Sequence, residues 1–211
     1  MRYIFFLLIV AGSLISCNNT NSDKPADNPD SSQPERTVPA SSRAALFAAL
    51  KDLQATLESN DKNKVAALFS FPLTDSVMAT HLDDSVFQKK YRDAGDQLTK
   101  QLFLEYYEPI VKYTNLDYIT SLFKYLPIDS LGSSDEMEKY IKSKTNPCAE
   151  HYRIELDGDM VRLISGSVEN DEYRASKLAS EDESTGCEYS VVWMFRMEGS
   201  KLKFERYAAA G

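Results

Sequence analysis

The segment Tyr189-Ser190-Val191-Val192-Trp193-Met194-Phe195-Arg196-Met197-Glu198-Gly199-Ser200-Lys201-Leu202-Lys203-Phe204-Glu205 decides the fold class. Side chains of a strand alternate between its two faces, so Tyr189, Val191, Trp193, Phe195 and Met197 share one face, opposite Glu188, Ser190, Val192, Met194 and Arg196. Glu198-Gly199-Ser200 reads as a turn, and the chain returns through Leu202 and Phe204 with Lys201, Lys203 and Glu205 facing away. The result is a hairpin with one strongly apolar face, which another layer has to cover.

Upstream the same period of two recurs. Tyr152, Ile154 and Leu156 alternate with Arg153, Glu155 and Asp157, and Asp157-Gly158 is a strong hairpin signal leading into the apolar residues 160–168. Two hairpins predict an antiparallel sheet of about four or more strands. Between them, residues 169–186 carry Glu169, Asp171, Glu172, Glu181, Asp182 and Glu183 against Arg174 and Lys177. A connection this long is unusual in a compact domain, and three readings stay open for it: a functional loop, a disordered one, or a partly hidden edge strand.

Further upstream the period is that of a helix. Leu46, Leu50, Leu53 and Leu57 form one stripe at i, i+4, i+7 and i+11, and Asn60-Asp61 ends that helix and caps the next, which carries Val65, Leu68 and Phe69 before Pro72. From 85 to 125 the spacing of Phe87 and Tyr91, Leu98 and Leu102, and Leu116, Ile119, Leu122 and Phe123 stays helical. Gly95 and Pro109 divide this stretch into three predicted helices. A further short helix is predicted over 134–144, where Met137, Tyr140 and Ile141 keep the helical step before Asn146-Pro147. Helices followed by strands define an α+β domain, here a single one over 42–211.

Asp61-Lys62-Asn63-Lys64-Val65-Ala66-Ala67-Leu68-Phe69-Ser70-Phe71-Pro72-Leu73, together with Val191-Val192-Trp193-Met194-Phe195 and its hairpin partner, resembles the NTF2-like, cystatin-like α+β cone lipoproteins. The resemblance covers about a sixth of the chain. It implies N-terminal helices packed on a curved antiparallel sheet, with a pocket on the concave face and Trp193 near its centre as a ligand contact. The long helical middle departs from that family.

The N-terminus sets the compartment. Met1-Arg2 precedes the apolar run Tyr3-Ile4-Phe5-Phe6-Leu7-Leu8-Ile9-Val10-Ala11, the layout of a secretory signal. Gly12-Ser13 interrupts the run well short of the roughly 20 residues a bilayer span requires. Leu14-Ile15-Ser16-Cys17 resembles the bacterial lipobox, which implies a signal peptide over 1–16 and lipidation of Cys17. Asn18 after the cysteine implies sorting to the outer membrane. Two or three acyl chains, at roughly 0.8 kcal/mol per buried methylene, make a stable anchor. Residues 17–41 hold the lipidated cysteine and a Pro-, Ser- and Asn-rich tether without an aromatic residue, too polar to offset its own ordering entropy.

Three cysteines leave Cys148 and Cys187 once Cys17 is lipidated. In an oxidising compartment the pair reads either as a disulfide or as two buried thiols. The net charge of −8, one unit more negative without Arg2, offers no counter-charge to phosphate backbones and argues against nucleic-acid partners.

Catalytic signals are sparse. His81 with Asp83 and Asp84 is the one place where an imidazole and carboxylates lie close in sequence, the types that acid-base catalysis pairs. The competing reading makes Asp83-Asp84 the cap of a helix starting near Ser85. His81 and His151 are the only histidines and neither stands at ligand spacing, so no metal and no cofactor are expected. The expectation is therefore a membrane-anchored exported lipoprotein acting as a non-enzymatic module for a peptide, glycan, small-molecule or protein partner. An NTF2-like enzyme using His81 and an Asp, or a structural or inhibitory envelope protein, are the alternatives.

Overall fold

The computed structural model describes residues 40–78, 80–177 and 186–211. The segment read as a signal peptide, Cys17 and the segment read as a tether as far as residue 39, together with residue 79 and residues 178–185 of the acidic connection, lie outside the described residues. The described residues all fall in one compact unit.

Helix α1 (Ala40–Glu58) buries Leu46, Leu50, Leu53 and Leu57, the stripe that its spacing predicts. Asn60, at φ 49°, turns the chain out of α1, and the Asp61 carboxylate then accepts the backbone N–H of Asn63 and Lys64 to start α2 (Lys62–Ala66). Two short helices follow, α3 (Asp75–Met78) and α4 (Ser85–Asp93).

Where three helices are predicted over 85–125, four form: α4, α5 (Lys100–Glu105), α6 (Tyr107–Tyr113) and α7 (Tyr118–Tyr125). Pro109 does not divide them. It lies in the first turn of α6, where a missing N–H costs little because that N–H has no intrahelical acceptor. The breaks fall instead at Tyr106 and at Asn115, whose φ of 53° leaves the helical region.

A 3₁₀ turn over Ile128–Leu131 leads to the strands β1 (Glu136–Ile141), β2 (Cys148–Asp157), β3 (Met160–Glu169), β4 (Tyr189–Glu198) and β5 (Lys201–Ala210). Each pairs antiparallel with its sequence neighbour, giving the order β1-β2-β3-β4-β5. Both short turns carry a glycine in the left-handed region, Gly158 at φ 65° and Gly199 at φ 65°, which a Cβ would strain. Arg196 straps the two hairpins together, with Nη1 donating to Asp159 Oδ1 at 2.9 Å and Nε to Glu205 Oε2 at 2.8 Å.

Two expectations are corrected here. Residues 136–141 are a strand, not part of a helix: Met137 faces Ile154 and Ile141 faces Glu150 across β2. A spacing of four suits one helix face and one strand face equally, and pairing with β2 decides between them. The NTF2-like cone is also overturned, because the sheet is flat and open, neither closed nor strongly curled.

Helices α1 and α7 lie across one face of the sheet, α7 against β2 and β3 and α1 against β5. Ile154, Leu163, Trp193 and Phe195 are fully buried in the core, where a cone would keep a hollow. The architecture is α+β, with a helical layer covering one face of a five-stranded antiparallel meander. Arg43 ties the start of α1 to the approach of β1, donating to the Asp135 carboxylate and to the carbonyl oxygen of Ser134.

Within 169–186, the segment Asp171–Lys177 forms helix α8, a reading the sequence did not suggest. Asn170, 1 % exposed, holds it in place. Its Nδ2 donates to the carbonyl oxygens of Ser143 at 2.7 Å and Asn146 at 2.8 Å, while its Oδ1 accepts the N–H of Glu172. A buried amide satisfied on both ends fixes the β1–β2 loop against the start of α8.

Candidate functional site

The residues singled out from the sequence do not assemble into one site. His81, Asp83 and Asp84 are exposed. Asp84 Oδ1 accepts the backbone N–H of Val86 at 2.8 Å and of Phe87 at 2.9 Å, so this carboxylate starts α4. Trp193, placed by the cone reading at the centre of a ligand pocket, is fully buried and donates its indole N–H to the Thr114 carbonyl oxygen at 3.0 Å. It belongs to the packing between β4 and the end of α6.

Cys148 and Cys187 form a disulfide, with S–S 2.04 Å. Ser167 Oγ donates to the carbonyl oxygen of Cys187, so the bridge and β3 together hold the chain as it enters β4. His151 lies on the uncovered sheet face, its ring stacked on Tyr140 with centroids 4.5 Å apart and Nε2 3.4 Å from Glu138 Oε2. Among the described residues, no grouping of three or more His, Cys, Asp or Glu side chains is arranged to hold a metal ion. No described helix is long and apolar enough to cross a membrane.

A concave site does form, on the helical layer. The end of α1 and the body of α2 face α6 and the α6–α7 connection across a cleft of ≈ 420 Å³. Leu57, Val65 and Leu116 make its floor, Tyr107 and Val111 its wall, and Glu58 and Asp117 its charged rim. Tyr107 and Val111 stand one turn apart on α6, which puts both on the same helix face. The Tyr107 phenol is pushed above its ordinary pKa by burial and, secondly, by the charge of Asp61, and remains a hydroxyl donor at neutral pH.

Of Tyr106, Tyr107, Tyr113, Tyr118 and Tyr125, Tyr107 alone lines this cleft; Tyr125 stacks on Tyr152 at 4.9 Å and Tyr106 packs edge-on against Phe87 at 5.1 Å. Glu58, Asp117 and Val65 carry no sequence signal of a site. They meet only because the end of α1 and helix α2 face α6 and the α6–α7 connection.

The chain matches no family model, no curated protein and no solved structure. The class that fold and site define is thus an α+β domain with a disulfide at the base of its sheet and an apolar, acid-rimmed cleft in its helical layer.

Proposed function

We propose that this chain is an exported lipoprotein, anchored to the cell envelope through lipid on Cys17, whose domain binds a partner non-covalently in the α1–α2/α6 cleft. The observation that carries the binding reading is the lining of that cleft. An apolar floor, one aromatic wall and two rim carboxylates are recognition chemistry, suited to a peptide or small amphiphilic molecule that presents an apolar body and a donor or cationic end. The Cys148–Cys187 disulfide supports export, since such bonds persist in oxidising compartments. The enzyme alternative loses ground because Asp84 is spent on the α4 cap.

Two experiments test this. Fractionation of cells carrying Cys17→Ala should move the protein from the membrane to the soluble fraction; retention in the membrane would refute the anchor. A thermal-shift screen of peptides, glycans and hydrophobic metabolites should raise the melting temperature for at least one class, and Val111→Glu, which places a charge in the cleft wall, should abolish that shift. A shift that survives Val111→Glu would place binding elsewhere.

A further inference from the structure

Helix α2 separates that cleft from a second groove of opposite lining. On its other side, Lys64 from α2 and Lys201 and Lys203 from the start of β5 surround a groove of ≈ 290 Å³ whose floor includes the buried side chains of Leu53 and Leu202. The one carboxylate in the lining is Asp52. Lys203 Nζ donates to the Ala67 carbonyl oxygen, which seats this ammonium at the groove and leaves two of its donors free.

Lys64 and Lys201 have no carboxylate within ion-pair distance among the described residues, whereas Lys51, Lys89 and Lys90 each have one. In a chain with 32 acidic and 24 basic residues, three ammonium groups against one carboxylate invert the local sign of charge. Lys64, Lys201 and Lys203 share the lining of one groove, so an anion seated there meets positive charge from three side chains.

The geometry points to an anion site for a phosphomonoester: the phosphoryl group between Lys64, Lys201 and Lys203, and the adjoining organic part on the Leu53–Leu202 floor. A lysine ammonium is a compact point charge on a flexible stem, and a phosphoryl dianion offers three acceptor oxygens to three such donors, where a carboxylate offers two. A soluble phosphate ester and the headgroup of a phosphomonoester lipid share this chemistry. The site is independent of whatever occupies the first cleft.

The test uses residues 17–211, the mature chain of the proposed reading, with Cys17→Ser so that no acyl chain contributes to flotation. Calorimetric titration with inorganic phosphate and with glycerol 3-phosphate covers the soluble source, and flotation with phosphatidylcholine vesicles, with and without phosphatidic acid, covers the lipid source. Saturable binding is expected in one arm or the other. The double variant Lys64→Glu, Lys201→Glu should weaken it by at least about tenfold, since two charge-assisted contacts become repulsive. Lys142→Glu with Lys144→Glu, an equal charge change on the exposed β1–β2 loop, should leave it unchanged. Far-ultraviolet circular dichroism verifies that both variants keep the fold. No binding in any arm, equal binding by the Lys64/Lys201 variant, or acetate bound as tightly as phosphate would overturn the proposal.

Discussion

The indole nitrogen of Trp193 and the carbonyl oxygen of Thr114 are joined by a 3.0 Å hydrogen bond inside the core, with both residues fully buried. Thr114 follows the last turn of α6, where carbonyl groups lose their helical partners, so the indole satisfies a backbone group that water cannot reach. The bond pins the helical layer to the centre of the sheet across 79 residues of sequence.

Replacing Trp193 with Phe keeps an aromatic ring but removes the donor and part of the volume. The expected loss is about 2–3 kcal/mol, from an orphaned buried acceptor together with a partial cavity. Urea denaturation should show a lower midpoint at unchanged slope. In the unaltered protein, Trp193 is the single tryptophan, so its emission should be blue-shifted when folded and move to the red in one step with the loss of circular dichroism.

Asp84 and Asp83 are neighbours with different work. Asp84→Ala removes the acceptor of two backbone N–H groups at the start of α4 and should cost about 1 kcal/mol, with Asp84→Asn largely restoring it. Asp83→Ala should be near neutral in the same thermal melt.

The Cys148–Cys187 bridge closes a loop with a sequence separation of 39. On the chain-entropy model its removal costs about 4 kcal/mol. A Cys148→Ser, Cys187→Ser chain should therefore melt well below the oxidised protein, and adding reductant should destabilise the natural chain but leave the double variant unaffected.

Gly166 lies on β3 where a Cβ would collide with the carbonyl oxygen of Tyr189 on β4. Its φ lies outside the left-handed region, so the requirement for glycine is the close approach of two backbones rather than a special conformation. Gly166→Ala should cost about 1–3 kcal/mol and loosen the β3–β4 ladder, which amide hydrogen exchange along β4 would register.

Tyr91 and Tyr152 set the alkaline limit. Burial raises both phenol pKa values, and each phenol also donates to a carboxylate, Tyr91 to Asp75 at 2.6 Å and Tyr152 to Glu150 at 2.7 Å. The unfolded phenols ionise near pH 10 while the folded ones hold their protons. Their contribution to stability is thus complete below that pH and is lost as the pH rises above it. Stability should fall with pH beyond about 10, and Tyr91→Phe should make that slope shallower. Following phenolate absorbance through the transition should reveal a group of tyrosines that ionise only on unfolding.

Much of the local structure was legible because it rests on contacts within a few residues. The leucine stripe of α1, the Asp61 and Asp84 caps and the Gly158 and Gly199 turns follow from helix period, side-chain acceptors and positive φ, and the apolar face of β4 from strand alternation. Cys148 and Cys187 could be paired only by elimination and compartment, and the bridge itself required β2 and the entry to β4 to meet.

What the tertiary structure alone decided has a common physical cause: each feature depends on which element lies opposite another. Met137 and Ile141 suit a helix or a strand until β2 supplies the partner. Alternation in β4 says that Trp193 faces inward, but whether inward means a ligand pocket or a packed core depends on α7 and the end of α6 covering the sheet, and they cover it. Glu58, Val65, Tyr107 and Asp117 make one cleft, and Lys64, Lys201 and Lys203 another, only through the approach of segments distant in the chain. The chain by itself determined most of its periods, its caps and its turns; the sheet's flatness and both clefts came from packing, which no local pattern encodes.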